Sequence, residues 1–326
     1  MKKKLIVCTT FGFLLIVSGC STMDKSKTPF SFNELNAEPQ LKIIDQKYFQ
    51  TSDATQLAYY EYQSINESKQ TLVFIHGGGA CSSLGYQYLA ETLSKEYNTT
   101  TYLFDMRGHG LSDGARGDAP TKERLWQDIS ELIKFIRKDC VGSRIFLGGH
   151  SSGGGLVLNY SSWKEREDIS GYVLISPKLG YKSNADRYHY TKDPFAKAYI
   201  GTMVLNKVSN ESIKAHSVAV EMNYSQEAKK AEPLLVDTYT CTVVNAITPT
   251  NPEKQFSNID KPFCLFVGQN DELMLPENTI KYAQYPDINI KLNSQAEIVT
   301  NQNHLGILRV CGYNIGKYFS VINSDF

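Results

Sequence analysis

The segment RIFLGGHSSGGG at residues 144–155 limits the possible folds of this chain more than any other, because an apolar run stops there at a serine surrounded by small residues. Residues 149–153 read Gly-His-Ser-Ser-Gly and fit the pattern G-x-S-x-G only with Ser151 at its centre, since a register centred on Ser152 would put His150 where the first glycine belongs. The pattern is typical of a tight, strained strand-to-helix turn, in which the flanking positions have room only for hydrogen. We therefore predict that Ser151 is presented to a cleft at the apex of such a turn.

The same turn would place the backbone N–H of Ser152 at the N-terminus of a helix, where it can bind a developing oxyanion. The alternative is an ordinary glycine-rich loop that precedes a helix. The motif alone leaves both interpretations open, so the rest of the chain has to separate them.

Composition argues against nucleic acid as a partner. The 326 residues include 34 basic and 34 acidic side chains, and no basic block is interleaved with aromatic residues. A small molecule or a lipid is the better expectation for the substrate. The length allows a large core in one α/β domain or in two smaller domains.

The N-terminus predicts export. Residues 1–19 have the form of a secretory signal, with Lys2, Lys3 and Lys4 ahead of an apolar stretch at 5–17 that is shorter than the about 20 residues of a membrane span. The stretch ends in Val-Ser-Gly-Cys and resembles the bacterial lipobox, in which the cysteine, here Cys20, is diacylated and becomes the first residue. A plain signal peptide or an uncleaved anchor is the alternative.

If Cys20 is lipidated, two or three acyl chains would anchor the protein stably to a membrane, whereas one chain alone is marginal. Ser21 follows the cysteine, which by resemblance to Gram-negative sorting implies the outer membrane. Residues 20–40 are polar, contain Pro29 and Pro39, and predict a tether. We expect an exported, membrane-anchored bacterial lipoprotein.

Short apolar runs alternate with helical patterns from residue 41 onward. Residues 41–49 and 56–62 predict an antiparallel pair, and the later runs are typical of parallel strands buried on both faces. Those runs lie at residues 71–75, 101–104, 144–147, 172–175 and 263–267. Helical spacing links Tyr86, Leu89 and Leu93, and again Leu125, Ile129, Leu132 and Ile136. The alternation predicts an α/β fold with a mostly parallel, doubly wound sheet.

Residues 179–257 break this alternation, because they are too many for a simple crossover. We predict an inserted, mostly helical cap there, on a core made of residues 41–178 and 258–326. Several apolar residues of the cap either line a substrate pocket or seal the cap to the core, namely Phe195, Tyr199, Ile200, Met203, Val204 and Leu205.

The cysteines beyond Cys20 predict neither a disulfide framework nor a metal site. They are Cys81, Cys140, Cys241, Cys264 and Cys311. An odd number leaves at least one free thiol, the sequence assigns no pairing, and the scattered spacing matches no metal-ligand pattern.

Two more motifs follow predicted strands. His76-Gly77-Gly78-Gly79 comes directly after the run at 71–75, and residues 105–112 read DMRGHGLS after the run at 101–104. With GGHSSGG, these motifs make the chain resemble the α/β-hydrolase superfamily, in its branch of monoacylglycerol lipases, lysophospholipases and serine aminopeptidase-like hydrolases. The resemblance covers residues 71–319 and is weakest across the cap.

The resemblance implies an oxyanion hole made by the N–H groups of Gly78 and Ser152. The alternative for the first motif is a glycine turn with a structural histidine. In that family the D-x-R-G-H-G-x-S segment is chiefly a structural loop, so Asp105 and His109 are not assigned to catalysis.

The family's order of serine, acid and histidine implies a triad of Ser151, Asp271 and His304. Asp271 lies in GQNDE after the run at 263–267, with a turn-forming Asn-Asp as the alternative interpretation and Glu272 as the fallback acid. His304 lies in NQNHLG ahead of an apolar C-terminal helix. Two features depart from the family: an unusually long polar stretch at 292–297 lies between Asp271 and His304, and the cap contains no motif that matches a subfamily.

The expected activity is hydrolysis of carboxylic esters through an acyl-enzyme, without a cofactor or metal, and the expected substrate is a monoacylglycerol or a lysophospholipid. A short-chain esterase or an amidase or peptidase with the same triad is the first alternative. The alternative from another class is a non-catalytic binding protein on a hydrolase scaffold.

Overall fold

A computed structural model describes residues 41–187 and 194–324. The predicted signal peptide, the lipidation site Cys20 and the tether lie outside the described residues. Within those ranges, no helix has the length and apolar character needed to cross a bilayer.

The centre of the described chain is an eight-stranded sheet in the order β1-β2-β4-β3-β5-β6-β10-β11. Its strands are β1 (Lys47–Gln50), β2 (Gln56–Tyr62), β3 (Gln70–Ile75), β4 (Thr99–Phe104), β5 (Arg144–His150), β6 (Gly171–Ile175), β10 (Phe263–Gly268) and β11 (Gln295–Val299). The β1–β2 and β2–β4 pairs are antiparallel, and the pairs from β4 through β11 are parallel. The prediction of a mostly parallel sheet opened by an antiparallel pair is confirmed.

Helices cover both faces of this sheet. On one face, α1 (Gln87–Glu96) packs against the C-terminal helix α10 (Cys311–Ser324), and on the other lie α2 (Lys122–Arg137) and α3 (Ser152–Ser161). Alternate residues of β3 divide between the two cores, with Leu72 and Phe74 facing α1 and Val73 and Ile75 facing α2. Because successive side chains face opposite sides of the sheet, a strand covered on both faces has apolar residues at every position. The sequence then shows a continuous apolar run.

The segment predicted as a cap contains helices and a second sheet. Its helices are α4 (Ile200–Val208), α5 (Gln226–Ala231), α6 (Cys241–Ile247) and α7 (Pro252–Ser257), and its sheet pairs β7 (Ala196–Ala198), β8 (Val218–Met222) and β9 (Thr238–Thr240) antiparallel. The sequence analysis did not predict this sheet, because strands of three to five residues show too little periodicity. Helix α6 packs against α2 and α3 of the core layer.

The apolar residues that were proposed to line a pocket or to seal the cap to the core are not all buried. Phe195 is half-buried, with its ring against that of Tyr224 at 5.3 Å. Ile200, Val204 and Leu205 are instead 61%, 54% and 42% exposed, so these three side chains do neither in this structure.

The polar stretch at 292–297 is explained by its place at the sheet edge. It spans the end of α9 (Ile288–Leu292) and the start of β11, which pairs with β10 on one side only. An edge strand with exposed side chains needs no apolar run, so the sequence pattern misses it. A short helix, α8 (Pro276–Ile280), precedes this edge.

Each of the cysteines at 81, 140, 241, 264 and 311 is a free thiol. The fold of the described residues therefore depends on packing and hydrogen bonds, with no disulfide among these five.

Candidate active site

The serine of the G-x-S-x-G motif lies at a sharp turn between β5 and α3. Ser151 has φ 53° and ψ −118°, a backbone conformation that is strained for a residue with a side chain. Its N–H donates to the carbonyl of Ile175 at 2.9 Å, and its carbonyl accepts from Gly155 N–H at 3.1 Å and Lys178 N–H at 2.8 Å. Three backbone hydrogen bonds therefore hold the strained residue in place.

The glycines of the motif are required by close backbone approach. A Cβ at Gly149 would lie 2.4 Å from the carbonyl carbon of Gly153, and a Cβ at Gly153 would lie 2.5 Å from the carbonyl oxygens of Ile75 and His76. The turn is thus pressed against the end of β3, and only glycine fits at these positions.

Asp271 and His304 meet at the carboxyl ends of β10 and β11. Nδ1 of His304 lies 2.8 Å from Oδ2 and 3.0 Å from Oδ1 of Asp271, and both side chains are buried. Oδ1 of Asp271 also accepts the N–H groups of Leu273 and Met274, at 2.9 and 2.7 Å. The fallback acid Glu272 accepts the backbone N–H of His304 at 2.8 Å instead of contacting its ring nitrogen.

The pKa shifts of this pair agree in sign. Burial acts to raise the pKa of Asp271, but the charge and hydrogen bond of His304 and the Met274 N–H outweigh it and hold that pKa below its ordinary 3.8. Burial acts to lower the pKa of His304, but the charge and hydrogen bond of Asp271 outweigh it and raise that pKa above 6.5. The arrangement favours an imidazolium beside a carboxylate.

His150, the neighbour of Ser151, contacts the loop that carries His304. The rings of His150 and His304 lie 4.6 Å apart, and Nε2–H of His150 donates to the carbonyl oxygen of His304 at 2.9 Å. Burial and the nearby His304 keep the pKa of His150 well below 6.5, so its ring is neutral. The structure therefore places the Asp271–His304 pair beside the turn that carries Ser151.

The predicted oxyanion donors also lie side by side. Gly78 is in the loop between β3 and α1, and a Cβ there would lie 2.7 Å from Oγ of Ser152. Ser152 is the first residue of α3, where the N–H has no partner within its own helix. The glycine loop and the helix N-terminus therefore border one another next to Ser151.

The glycine loop is held on the α1 side by a tyrosine and two histidines. Gly77 N–H donates to Oη of Tyr86 at 2.7 Å, and this hydroxyl lies 3.0 Å from Nδ1 of His150. Nδ1–H of His76 donates to Gly77 O at 2.8 Å, and its Nε2 accepts the Met106 N–H at 3.2 Å. In this structure His76 therefore supports the loop.

The DMRGHGLS segment makes a compact loop next to the glycine loop. Oδ1 of Asp105 accepts the Ser82 N–H at 2.6 Å, and Oδ2 accepts the Leu111 N–H at 2.9 Å. Arg107 forms a bidentate pair with Asp128, both contacts being 2.8 Å. Asp105 thus holds backbone and Arg107 ties the loop to α2, in keeping with the structural role that the resemblance implies for this loop.

The sequence analysis missed the tyrosines that contact the glycine loop. Tyr86 was assigned to an apolar helix face, and Tyr224 and Tyr239 lie in the cap, where no motif was found. Tyr224 Oη donates to Gly78 O at 2.9 Å, and Gly79 N–H donates to Tyr239 Oη at 2.6 Å. In a sequence, a tyrosine with a buried functional hydroxyl cannot be distinguished from a tyrosine that only packs in the core. No local pattern therefore predicts the role of these hydroxyls.

Metal ligands do not cluster in the described part of the chain. Over residues 41–187 and 194–324, no group of three or more His, Cys, Asp or Glu side chains is arranged to hold a metal ion.

Comparison with known proteins places the chain among hydrolases. Residues 66–296 match the family described as serine aminopeptidase, S33. The monoglyceride lipase of Saccharomyces cerevisiae is 26% identical over 158 residues, which is 46% of this chain and 48% of the yeast protein, so the match spans about half of that relative. The monoglyceride lipase of Mus musculus is 24% identical over 219 residues, covering 67% of this chain and 71% of the mouse protein.

Solved structures show the same fold. A soluble variant of the monoglyceride lipase of Saccharomyces cerevisiae, solved with a substrate analogue, superposes with a TM-score of 0.68 at 18% identity. The superposition covers 88% of this chain and 98% of the yeast chain. The α/β-hydrolase fold predicted from the sequence is confirmed.

Proposed function

Because this chain belongs to the serine aminopeptidase, S33 family of hydrolases, we propose that it cleaves carboxylic esters through an acyl-enzyme on Ser151. The observation that carries the proposal is the buried Asp271–His304 pair, with Nδ1 2.8 Å from Oδ2, beside the strained turn of Ser151. Serine, carboxylate and histidine follow in this order along the chain, and together they form the arrangement that activates a serine hydroxyl.

In the proposed acylation step, Nε2 of His304 takes the proton of the Ser151 hydroxyl while Oγ attacks the ester carbonyl carbon. Asp271 accepts Nδ1–H, which leaves Nε2 as the free base and stabilises the imidazolium as it forms. The imidazolium then gives its proton to the leaving alcohol. Glu272 contributes by holding the backbone of the same histidine.

The tetrahedral intermediate carries its negative charge on the former carbonyl oxygen. We assign the N–H groups of Gly78 and Ser152 as donors to that oxygen, since the two residues border one another and Ser152 begins a helix. Each such donor lowers the barrier by about 3 to 4 kcal/mol in comparable sites. Water then attacks the acyl-enzyme, with His304 again acting as base.

For the substrate we propose a monoacylglycerol or a lysophospholipid. The proposal is supported by the yeast and mouse relatives, which are monoglyceride lipases. The family description names an aminopeptidase, so short esters, amides and peptides are the outcomes against which the substrate is tested.

For the location we propose an exported bacterial lipoprotein anchored to a membrane through Cys20. The lipobox-like Val-Ser-Gly-Cys after an apolar stretch supports this proposal. In metabolic labelling, a palmitate analogue should be incorporated into the full chain and should not be incorporated into Cys20→Ala. Labelling that persists in that variant would overturn the proposal.

The chemistry is tested by reaction with a fluorophosphonate probe, read by intact mass. The wild type should gain one adduct, and Ser151→Ala and His304→Ala should gain none. Ser161→Ala is the matched control, because Ser161 is a buried serine at the end of α3, the helix that follows Ser151, and its hydroxyl donates to Leu158 O at 2.8 Å. A folded wild type without an adduct would favour the binding-protein alternative.

Substrate class is tested by comparing kcat/KM for a monoacylglycerol, a lysophospholipid, a short p-nitrophenyl ester and an aminoacyl anilide. The proposal expects the highest value for one of the two lipids. Activity confined to the short ester or the anilide would contradict it.

A further inference from the structure

The hydroxyl of Tyr239 joins the cap to the glycine loop. Tyr239 lies on β9 with 2% of its side chain exposed, and its Oη accepts the Gly79 N–H at 2.6 Å. The same oxygen lies 2.7 Å from Nε2 of His109, in the DMRGHGLS loop. One buried hydroxyl therefore connects the cap sheet with two loops of the core.

The direction of these hydrogen bonds follows from His109. Its Nδ1 lies 3.0 Å from the carbonyl of Arg107, which can only accept, so Nδ1 carries the proton. Burial, with a contribution from His76, holds the pKa of His109 well below 6.5, so the ring is neutral and Nε2 is an acceptor. Tyr239 consequently donates to His109 and accepts from Gly79.

The cap holds the same peptide from its other end. Tyr224 Oη donates to the carbonyl oxygen of Gly78 at 2.9 Å, and Gly78 C=O and Gly79 N–H belong to one planar peptide unit. The Val236 N–H donates to Gly79 O at 2.8 Å. Because the peptide unit is planar, hydrogen bonds at both of its ends fix the orientation of its plane.

This restraint acts directly beside the predicted oxyanion donor. The ring of Tyr239 also borders Gly78, since a Cβ at Gly78 would lie 3.8 Å from Cε2 of Tyr239. A run of three glycines has wide conformational freedom, and Gly79 has φ +70°, so the loop needs an external restraint to hold one conformation. Oxyanion stabilisation depends on donors that are oriented before the charge develops.

We propose that Tyr239 is a positioning residue of the oxyanion hole, holding the glycine loop so that Gly78 N–H faces the reacting carbonyl oxygen. The inference rests on the proposed acyl-enzyme function of Ser151. It assigns to the cap a part in transition-state stabilisation through Tyr239, whose hydroxyl is held by His109 of the core.

The test is Tyr239→Phe, which removes the hydroxyl and keeps the ring. The matched control is Tyr160→Phe. Oη of Tyr160 likewise accepts a backbone N–H, from Glu167 at 2.8 Å, and contacts one side chain, Oγ of Ser130 at 2.8 Å. Both tyrosines are buried, so the two variants lose comparable hydrogen bonds, and only one of them borders the glycine loop.

With p-nitrophenyl butyrate as substrate, kcat of Tyr239→Phe should fall about 10- to 100-fold, and KM should change by less than about twofold. Deleting an oxyanion donor outright costs more, about 10²- to 10³-fold in kcat. Affinity for a trifluoromethyl ketone, whose serine adduct carries an oxyanion, should fall by the same factor as kcat/KM. Affinity for a ground-state ether analogue should stay the same. Tyr160→Phe should keep the wild-type values, even where its thermal midpoint falls equally.

The inference is overturned if Tyr239→Phe retains the kcat of Tyr160→Phe, or if its affinity for the trifluoromethyl ketone is unchanged. If Tyr239→Phe does not fold, Tyr224→Phe supplies the test, because its hydroxyl holds the other end of the same peptide. An inactive, unlabelled wild type would instead refute the proposed function, whereas an active wild type with an equally active Tyr239→Phe refutes this inference alone.

Discussion

The carboxylate of Glu272 accepts the backbone N–H of His304 at 2.8 Å. The preceding residue, Asp271, accepts the ring Nδ1–H of the same histidine, so two adjacent acids hold one residue by its backbone and by its side chain. The resemblance named Asp271 as the acid and left Glu272 as the fallback, and in the structure the ring contact belongs to Asp271.

The two acids should therefore respond differently to removal of charge. We expect Asp271→Asn to lower kcat by about 10⁴-fold, because an amide favours the wrong tautomer of His304. Glu272→Gln should stay within about tenfold of wild type, since its amide oxygen can still accept the backbone N–H. Steady-state hydrolysis of a p-nitrophenyl ester measures both, and the reverse ranking would reassign the acid.

The pH dependence should follow His304. Its pKa is raised above 6.5, and only the neutral ring can take the proton of Ser151, so kcat/KM should fall as pH decreases through that raised pKa. The Asp271 charge is a main cause of the increase, and Asp271→Asn should move the acid limb to lower pH. A pH profile from about pH 5 to about pH 9 checks this, and an acid limb that stays in place in the variant would contradict it.

Adding one methyl group at Gly78 should impair catalysis. The new Cβ would lie 2.7 Å from Oγ of Ser152, so the loop or the helix start has to shift. We expect kcat of Gly78→Ala to fall by about tenfold or more, since small displacements of donors are costly. Gly201→Ala is the control, because a Cβ there would meet no atom within 4 Å beyond its chain neighbours and its own helix backbone. Equal kcat values for the two variants would contradict the prediction.

The buried pair of Arg107 and Asp128 should matter for stability. Their side chains are 4% and 1% exposed and 2.8 Å apart, so removing Asp128 leaves a buried guanidinium without its bidentate partner. Asp128→Ala should lower the free energy of unfolding by about 3 to 5 kcal/mol. Asp260→Ala, at the more exposed pair with Arg166, should cost at most about 1 kcal/mol. Urea denaturation measures both, and equal losses would refute the argument from burial.

Local patterns were enough to predict most of the sheet and the turn at Ser151. Buried parallel strands give continuous apolar runs, and a turn that admits only glycine around Ser151 leaves a short motif in the sequence. Asp271 and His304 could be named only from the resemblance to α/β hydrolases, whose acid follows a strand and whose histidine precedes the C-terminal helix.

The contacts between the cap and the core could not be predicted, for physical reasons. The strands β7, β8 and β9 are too short to show a period, and β11 is a polar edge strand. The hydroxyl of Tyr239 reaches a residue 160 positions away, a distance over which spacing carries no information.

That separation along the chain has a consequence for biosynthesis. The bond between Gly79 and Tyr239 spans 160 residues, and His304 follows another 65 positions after Tyr239. During synthesis, Ser151 and the glycine loop therefore leave the ribosome well before Tyr239 and His304, the residues that orient them. Esterase activity should appear only after His304 has left the ribosome, so its onset during cell-free translation would report when the site is assembled.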